Sequence, residues 1–269
     1  MKKVCFALIC FALILAALTV PTFAQANAFG WYCAHVKDHI QPKIGSDLAF
    51  AESLDAYFID HTHTDMEEGE KVVYLTFDAG YENGNVAKIL DVLKEEDVKG
   101  AFFILGNLIT HDTELVRRMA SEGHTVCNHT LRHKDMSKMT EEAAFLEELH
   151  ALERLYEEKI GAKMASYYRP PEGKFSRDNL VWVQKNGYRT VFWSFAYPDW
   201  DNQKQMSEEK AKAVIMENIH NGAVLLLHPT SKTNALILGD VIRELKAQGF
   251  RFGTLDELTG KAEHSNETC

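Results

Sequence analysis

The chain has 269 residues, of which 46% are hydrophobic and 25% are charged, a composition that excludes an intrinsically disordered protein. The length fits one large globular domain or two small ones. The formal net charge of −10 at pH 7 argues against nucleic-acid binding, because phosphate backbones are bound by basic surfaces.

Residues 1–26 have the pattern of a secretory signal peptide. Two lysines precede an apolar run over residues 4–20, and the small-x-small sequence Ala24-Gln25-Ala26 follows. The apolar run is long enough to approach a bilayer span, so the alternative is an uncleaved anchor helix. The Ala-rich exit favours cleavage, which predicts a secreted protein that faces the cell wall and keeps no stable membrane span.

The segment 27–70 has no clear periodicity and is predicted to be an N-terminal lead-in that packs on the main domain. Its polar connection contains His61, His63 and Asp65, which are all metal-ligand types. A solvated linker is the favoured interpretation of these three residues. At the other end of the chain, residues 261–269 are predicted to form a frayed tail.

Three cysteines remain after signal cleavage, namely Cys33, Cys127 and Cys269. Three widely spaced cysteines do not make a disulfide framework. One disulfide with one free thiol is compatible with the sequence, which leaves the pairing open.

Strands and helices alternate over residues 71–260. Each predicted strand is a short apolar, β-branched or aromatic run, and the predicted helices carry apolar residues at helical spacing. The predicted strands are Val72–Phe77, Ala101–Leu105, His124–Cys127, Ser166–Arg169, Thr190–Phe195, Ala223–Leu227 and Phe250–Thr254. Repeated β-α units indicate a parallel sheet covered by helices, and seven strands with short connections favour one barrel-like α/β domain.

Capping residues and acidic first turns mark the helix starts. Asp112, Ser176 and Ser207 are predicted N-caps. The longest helix is predicted to begin at Thr140, because two glutamates follow it and the helix dipole favours acids in the first turn.

Polar and ionisable residues follow five of the predicted strands. They are Asp78 after the first strand, His129 and His133 after the third, Arg169 at the end of the fourth, Asp199 and Trp200 after the fifth, and His228 after the sixth. The carboxyl ends of parallel strands meet at one edge, and in barrels this edge carries catalysis. The placement therefore predicts an active site there.

Three of these residues also have an ordinary structural interpretation. Asp78 could cap a turn, and His228 could be a core histidine whose hydrogen bonds are satisfied. Trp200 is equally compatible with a core position and with a wall for a sugar ring. The shared position at the rim favours an active-site role for Asp78 and His228 and leaves Trp200 open.

The histidine pair and the arginine suggest specific partners. The spacing of His129 and His133 would place both imidazoles on one helical face, which suits a divalent metal, although two solvated histidines have the same spacing. Arg169-Pro170-Pro171 could be only a strand stop with a surface charge, but Arg169 follows two tyrosines and is therefore predicted to be partly buried. It then needs a carboxylate partner, either Asp78 or Asp199.

At these residues the chain resembles the polysaccharide deacetylase family. Five segments are similar to the five motifs of that family, in order and at successive strand ends: Thr76-Phe77-Asp78-Ala79-Gly80, His129-Thr130-Leu131-Arg132-His133, Arg169-Pro170-Pro171-Glu172-Gly173, Asp199-Trp200 and Leu226-Leu227-His228. The resemblance covers about residues 71–258. It implies a distorted (β/α)7 barrel, with fewer than eight complete repeats.

The chain is most similar to one branch of that family, the delta-lactam-biosynthetic de-N-acetylases. The similar segments are the lead-in around Trp31 and Lys37, Gly80-Tyr81-Glu82-Asn83-Gly84 and Val191-Phe192-Trp193-Ser194. That branch removes the acetyl group of N-acetylmuramic acid in peptidoglycan, a step toward the muramic lactam of spore cortex. The resemblance implies a secreted hydrolase that acts on peptidoglycan glycan strands.

The resemblance also implies a role for each site residue. Asp78 would be the general base and His228 the general acid, while Arg169 and Asp199 would hold these two groups in their charge states. The implied substrate-binding residues are Tyr81, Glu172 (through its backbone N–H) and Trp200.

One departure from the family pattern concerns the metal. The resemblance implies that His129 and His133 bind a divalent metal such as zinc, together with a carboxylate, or in some members an asparagine, at the position of Ala79. Catalytic zinc sites normally have three protein ligands plus water. The alanine puts a tightly held metal in doubt, unless Asp78, a water or the substrate completes the coordination.

Two other functions remain open from the sequence. The first is a glycan-binding protein of the cell wall that has lost catalysis. The second keeps the chemistry and changes the substrate to chitin-like oligosaccharides or acetylated xylan. In each case we expect a monomer.

Overall fold

The computed structural model describes residues 28–67 and 69–260. The predicted signal peptide, residues 1–26, and the predicted tail, residues 261–269, lie outside the described residues. Within the described ranges, no helix is both long enough and apolar enough to cross a membrane.

The strands form one large parallel sheet and one small antiparallel pair. They are β1 (Ala28–Gly30), β2 (Ala56–Tyr57), β3 (Lys71–Ala79), β4 (Ala101–Ile104), β5 (Thr125–Asn128), β6 (Ala165–Tyr168), β7 (Lys174–Ser176), β8 (Arg189–Val191), β9 (Phe195–Ala196), β10 (Ala223–Leu227) and β11 (Phe250–Phe252). The large sheet has the order β2-β8-β6-β5-β4-β3-β10-β9, with β11 beside β3, and β1 pairs with β7. All its strand pairs are parallel.

Eight α-helices in the described ranges connect these strands. They are α1 (Val86–Glu95), α2 (Gly106–His111), α3 (Thr113–Ser121), α4 (Glu142–Ile160), α5 (Arg177–Lys185), α6 (Glu208–Asn218), α7 (Lys232–Ala247) and α8 (Leu255–Leu258). Because parallel neighbours need crossover connections, the helices cover the outer face of the sheet. The predicted α/β class with alternating units is confirmed.

The sheet curls so that its two ends meet at one stretch of chain. The sequence predicted a single strand over Thr190–Phe195, but the structure divides it into β8 and β9. Between them, the N–H of Phe192 donates to the Tyr57 carbonyl at one end of the sheet, and the N–H of Ser194 donates to the Val224 carbonyl at the other. This crossing accounts for the distortion of the barrel.

The two faces of β3 contact different cores. Val73, Leu75 and Phe77 belong to the large cluster between the sheet and the helices. Val72 and Tyr74 belong to a smaller cluster enclosed by the strands. Because side chains alternate along a strand, Thr76 and Asp78 lie on the same enclosed face as Val72 and Tyr74, closer to the carboxyl end of the strand.

The helix ends confirm two of the predicted caps. The side chain of Ser176 accepts from the N–H of Asn179, and that of Ser207 accepts from the N–H of Lys210. Asp112 stands between α2 and α3 without a side-chain capping bond. The predicted start of the longest helix at Thr140 was wrong by two residues, since α4 begins at Glu142 after a residue in extended conformation.

The lead-in contacts the barrel through β1 and Trp31. The Trp31 ring stacks on Phe192 with centroids 4.1 Å apart, and its Nε1 donates to the Trp193 carbonyl at 2.9 Å. The Trp31 N–H donates to the carbonyl of Gly173, directly before β7. The lead-in therefore buttresses the segments that follow β6 and β8.

Cys33 and Cys127 are free thiols, and Cys269 lies outside the described residues. Burial raises the pKa of Cys33 to about 12, although its hydrogen bonding works in the opposite direction. Burial also raises the pKa of Cys127. Both groups are therefore protonated and unreactive at neutral pH.

Candidate active site

Asp78 lies at the carboxyl end of β3, on the face enclosed by the sheet. The strand continues through Ala79, so the sequence placed its end two residues too early. Because side chains alternate along a strand, Thr76 and Asp78 lie on the same face of β3 as Val72 and Tyr74, and Asp78 is at the rim. The Asp78 side chain is 11% exposed, which makes it a nearly buried carboxylate that still reaches the pocket.

Arg169 holds the Asp78 carboxylate from the protein interior. The guanidinium is fully buried, and its Nη1 donates to Asp78 Oδ1 at 2.8 Å. Its Nε donates to the Val191 carbonyl at 2.8 Å, and its Nη2 donates to the Phe192 carbonyl at 3.0 Å and to Thr76 Oγ1 at 2.9 Å. The planar group therefore connects the ends of three strands.

The arginine is the permanently charged partner of the carboxylate. Of the two carboxylates that the sequence offered as partner, the structure pairs Arg169 with Asp78 and leaves Asp199 elsewhere. Burial alone would raise the pKa of Asp78, but its interactions with His129, Arg169 and His228 together hold that pKa below its usual value, and among these three groups Arg169 is permanently charged. Asp78 is therefore ionised at neutral pH.

His129 and His133 follow β5 in a loop and not in a helix. Thr130 and His133 have φ values of 74° and 54°, in the left-handed region. The prediction that the spacing places both imidazoles on a helical face was therefore wrong. The loop still brings the two rings together, with centroids 5.1 Å apart in an edge-on arrangement.

His129 is held in one neutral tautomer. Its Nδ1–H donates to the Arg169 carbonyl at 2.8 Å, so Nε2 keeps its lone pair. Nε2 lies 3.5 Å from Asp78 Oδ2. Burial lowers the pKa of His129 to about 4, against the opposing effect of Asp78, so the ring is uncharged at neutral pH.

His228 follows β10 and is paired with Asp199. Its Nδ1–H donates to Asp199 Oδ1 at 2.7 Å, and its backbone N–H donates to Asp199 Oδ2 at 2.8 Å. Burial would lower the pKa of His228, but the hydrogen bond and the negative charge of Asp199 outweigh burial and raise it. The imidazolium, which can release a proton from Nε2, is therefore favoured.

Asn234 and Tyr197 are site residues that the sequence did not indicate. Asn234 Nδ2 donates to Asp199 Oδ2 at 2.6 Å and to the His228 carbonyl at 3.1 Å. The Tyr197 hydroxyl donates to Asn234 Oδ1. Ser231 caps α7 by accepting from the Asn234 N–H, which fixes Asn234 in the first helical turn. This capping serine was the one sequence feature that could have indicated the position of Asn234.

Two asparagines tie the loop after Asp78 to the loop after His228. Asn83 Nδ2 and Asn85 Nδ2 donate to the Thr230 carbonyl at 2.8 and 3.0 Å. Thr230 is two residues after His228. These bonds fix the relative position of the carboxylate and the distal imidazole.

Asp199→Asn is expected to move the alkaline limb of the pH–rate profile to lower pH. The amide keeps a hydrogen-bond acceptor for His228 Nδ1 but removes the negative charge that raises the His228 pKa. Because the acid form is then lost at lower pH, kcat/KM should fall earlier on the alkaline side. The measurement is kcat/KM as a function of pH, with far-UV circular dichroism to verify that the variant is folded like the wild type. An alkaline limb at the wild-type position would refute the role of Asp199.

Seven of the nine predicted site residues line one pocket with a volume of about 760 Å³. They are Asp78, Tyr81, His129, His133, Glu172, Trp200 and His228. Arg169 and Asp199 lie behind the wall, where they contact the acid and base groups. The remaining walls include Trp193 and Tyr197.

The rim of the pocket has exposed aromatic side chains. Trp200 is 60% exposed and Tyr81 is 44% exposed, so the structure excludes Trp200 from the core. The Tyr81 hydroxyl accepts from Asn202 Nδ2 at 2.8 Å, which links the two loops. Glu172 has a left-handed backbone with a φ of 56°, and its side chain pairs with Lys174.

The donor set does not fit a tightly held catalytic metal. The His129 tautomer presents Nε2 as a metal ligand would, but Ala79 is fully buried in the cluster that contains Phe77 and offers no donor atom. Among residues 28–67 and 69–260, no three His, Cys, Asp or Glu side chains are arranged to hold a metal ion. Two imidazoles fall one ligand short of a catalytic zinc site.

Comparison with known proteins gives the same assignment as the motifs. The polysaccharide deacetylase family profile matches residues 65–191. Over 249 residues the chain is 36% identical to peptidoglycan-N-acetylmuramic acid deacetylase PdaA of Bacillus subtilis (strain 168), an alignment that covers 90% of this chain and 92% of that protein. The solved structure of PdaA, a family 4 carbohydrate esterase, has a TM-score of 0.81 over 87% of this chain and 98% of that chain.

Two structures from Bacillus anthracis extend the comparison. A family 4 carbohydrate esterase is 34% identical, with a TM-score of 0.70 over 87% of this chain and 97% of that one. A family 4 pseudoenzyme is 26% identical, with a TM-score of 0.65 over 74% of this chain and 68% of that one. The fold and the rim define a deacetylase-type α/β half-barrel.

The chain belongs to the polysaccharide deacetylase family. The family resemblance seen in the sequence is thereby confirmed.

Proposed function

We propose that this protein hydrolyses the N-acetyl group of N-acetylmuramic acid in peptidoglycan. The observation that carries the proposal is the opposite tuning of two groups in one pocket, because the pKa of Asp78 is lowered and that of His228 is raised. These shifts favour the base form of Asp78 and the acid form of His228. Pairs of groups whose pKa values are pushed apart identify acid–base roles.

Asp78 is the proposed base for the attacking water. A water molecule that donates one hydrogen to Asp78 Oδ2 can donate the other to His129 Nε2, which keeps its lone pair and lies 3.5 Å away. The water oxygen adds to the acetyl carbonyl carbon as Asp78 takes a proton. Arg169 keeps the carboxylate ionised before this transfer.

The oxyanion and the leaving amine need their own donors. Glu172 and His133 line the pocket. The backbone N–H of Glu172 and the imidazole of His133 are the proposed donors to the oxyanion. When the C–N bond breaks, His228 Nε2–H protonates the departing nitrogen, while Asp199 stabilises the imidazolium. The products are acetate and the free amine of the sugar.

The substrate assignment is supported by PdaA, whose name states N-acetylmuramic acid in peptidoglycan, and by the exposed aromatic rim. Tyr81 and Trp200 provide apolar faces against which sugar rings can pack. A signal peptide over residues 1–26, a lead-in over 27–70 and a catalytic domain over 71–260 would deliver this activity outside the cytoplasm. The product amine is the precursor of muramic lactam, the modification of spore cortex.

The deciding experiment incubates the mature chain with muropeptides and follows acetyl loss by mass spectrometry. We expect one acetyl group to be lost per muramic acid, with stoichiometric acetate. Parallel samples contain chitin oligosaccharides and acetylated xylan. If only the chitin oligosaccharides or the acetylated xylan are deacetylated, the substrate belongs to that second class. If the protein binds glycan but releases no acetate, it is catalytically inactive, like the pseudoenzyme relative.

We expect acetyl release to survive dialysis against EDTA. His129 and His133 are the two imidazoles that the family motif assigns to a metal, and Ala79 supplies no third ligand. The donor set therefore does not fit a tightly held Zn²⁺. The measurement is acetate release in chelated buffer, with zinc content determined by atomic absorption. Activity that disappears on chelation and returns with Zn²⁺ would contradict this expectation.

A further inference from the structure

The loop that carries His133 into the pocket is conformationally strained. Thr130 and His133 have positive φ values, and a β-branched residue such as Thr rarely adopts this conformation. Such conformations persist only where the surrounding structure enforces them. The contacts that enforce this one therefore determine where the His133 imidazole lies.

One buried carboxylate holds both neighbours of His133. Glu148 on α4 has a side chain that is 2% exposed. Its Oε1 accepts from Arg132 Nε at 2.9 Å and Nη2 at 2.5 Å, and it lies 2.8 Å from Lys134 Nζ. A single oxygen atom thus binds the side chains on either side of His133.

Further hydrogen bonds fix the rest of the loop against the same helix. The Leu131 N–H donates to the Glu148 carbonyl at 3.1 Å, and Asn128 Nδ2 donates to the Leu149 carbonyl at 3.0 Å. On the opposite side, the Gly106 N–H donates to the Leu131 carbonyl at 3.1 Å. A Cβ at Gly106 would come within 2.6 Å of the Leu131 side chain, so α2 also packs closely on the loop.

We infer that Glu148 is a positioning residue, which orients His133 toward the acetyl carbonyl by holding Arg132 and Lys134. The inference rests on the function proposed above, because His133 is there a donor to the oxyanion. Glu148 is not among the residues that line the pocket. Its effect on turnover passes through the loop.

Stability alone does not account for a charged group at this position. A buried carboxylate loses its hydration, and an apolar side chain of similar volume often serves stability as well or better. The second oxygen, Oε2, is buried without a hydrogen-bond partner among the described residues. The two cations are largely exposed, at 58% and 47%, and would otherwise move freely in solvent. The carboxylate therefore serves to order them.

Glu148→Gln tests this role, with Glu147→Gln as its matched control. Glu147 is the preceding residue on α4, and its 59% exposed side chain pairs with Arg154 on the same helix. We expect Glu148→Gln to lower kcat for acetyl release by up to about 100-fold, with KM nearly unchanged. The reason is that a displaced His133 imidazole no longer donates to the oxyanion, an interaction that forms only in the transition state. Glu147→Gln should retain the wild-type kcat.

The imidazole signals of His133 supply a readout that is independent of activity. They are identified in ¹H–¹³C spectra as the signals that His133→Gln removes. We expect Glu148→Gln to shift or broaden them and Glu147→Gln to leave them unchanged. If the wild type releases no acetate, the proposed function fails, whereas unmoved His133 signals in Glu148→Gln overturn the positioning role alone.

Arg132→Gln keeps the test decisive if Glu148→Gln does not fold. This exposed side chain can be removed while Lys134 still pairs with the carboxylate. For Arg132→Gln alone, we expect a smaller fall in kcat than for Glu148→Gln and the same displacement of the His133 signals. Where Glu148→Gln does fold, adding Arg132→Gln to it should lower kcat no further. Fully additive effects, or wild-type kcat and signals in Arg132→Gln, would overturn the inference.

Discussion

Asp78→Asn is expected to lower kcat for acetyl release by about 10²- to 10⁴-fold. The amide retains an oxygen that can accept from Arg169 Nη1, so the contact at 2.8 Å and the fold are kept. It cannot take a proton from water at neutral pH. The loss should therefore appear in kcat, measured as acetate release, with little change in glycan binding.

A matched control separates the loss of this base from a general change of charge. Asp201→Asn removes a partly exposed carboxylate close to the same rim, where it pairs with Lys204, and should keep the wild-type rate. The thermal midpoints of both variants are compared with that of the wild type. If Asp78→Asn turns over at the wild-type rate, the base is another group and the mechanism is wrong.

The sequence predicted the repeating units because their signals are local. Apolar runs such as Ala223–Leu227 mark buried strands, and this strand has the predicted bounds. The splitting into β8 and β9 could not be predicted, because it depends on partners distant in sequence: the N–H of Phe192 donates to the Tyr57 carbonyl on β2, and the N–H of Ser194 donates to the Val224 carbonyl on β10. The two-residue strand β2 has no periodicity at all and exists through its pairing with β8.

The site was predictable to the extent that it obeys the strand-end rule. Asp78 and His228 could be selected because parallel strands direct their carboxyl ends to one rim. The conformation of the histidine loop could not be predicted, since it depends on Glu148, which lies fifteen positions beyond His133. Asn234 was missed for the same reason, because its partner Asp199 is distant in sequence.

Arg169→Met is expected to reduce the free energy of unfolding by about 3–5 kcal/mol, the typical cost of removing one partner of a buried ion pair. The variant leaves the Asp78 carboxylate without its permanent counter-charge. It also deprives the carbonyls of Val191 and Phe192 of their donor. Urea unfolding measures the loss, and Arg154→Met, which removes an exposed ion pair, should cost no more than about 1 kcal/mol.

The same substitution should alter the pH dependence of turnover on the acid side. Without the guanidinium, burial raises the pKa of Asp78, so the carboxylate is protonated at higher pH and the acid limb of kcat/KM moves upward. Arg169→Lys should move the limb less, because it keeps the charge but not the planar set of donors. The double variant Asp78→Asn, Arg169→Met buries no unpaired charge. Its loss of unfolding free energy should therefore be smaller than the sum of the losses in the two single variants. Strict additivity would mean that the two residues are not energetically coupled, and Arg169 would then have no part in tuning the base.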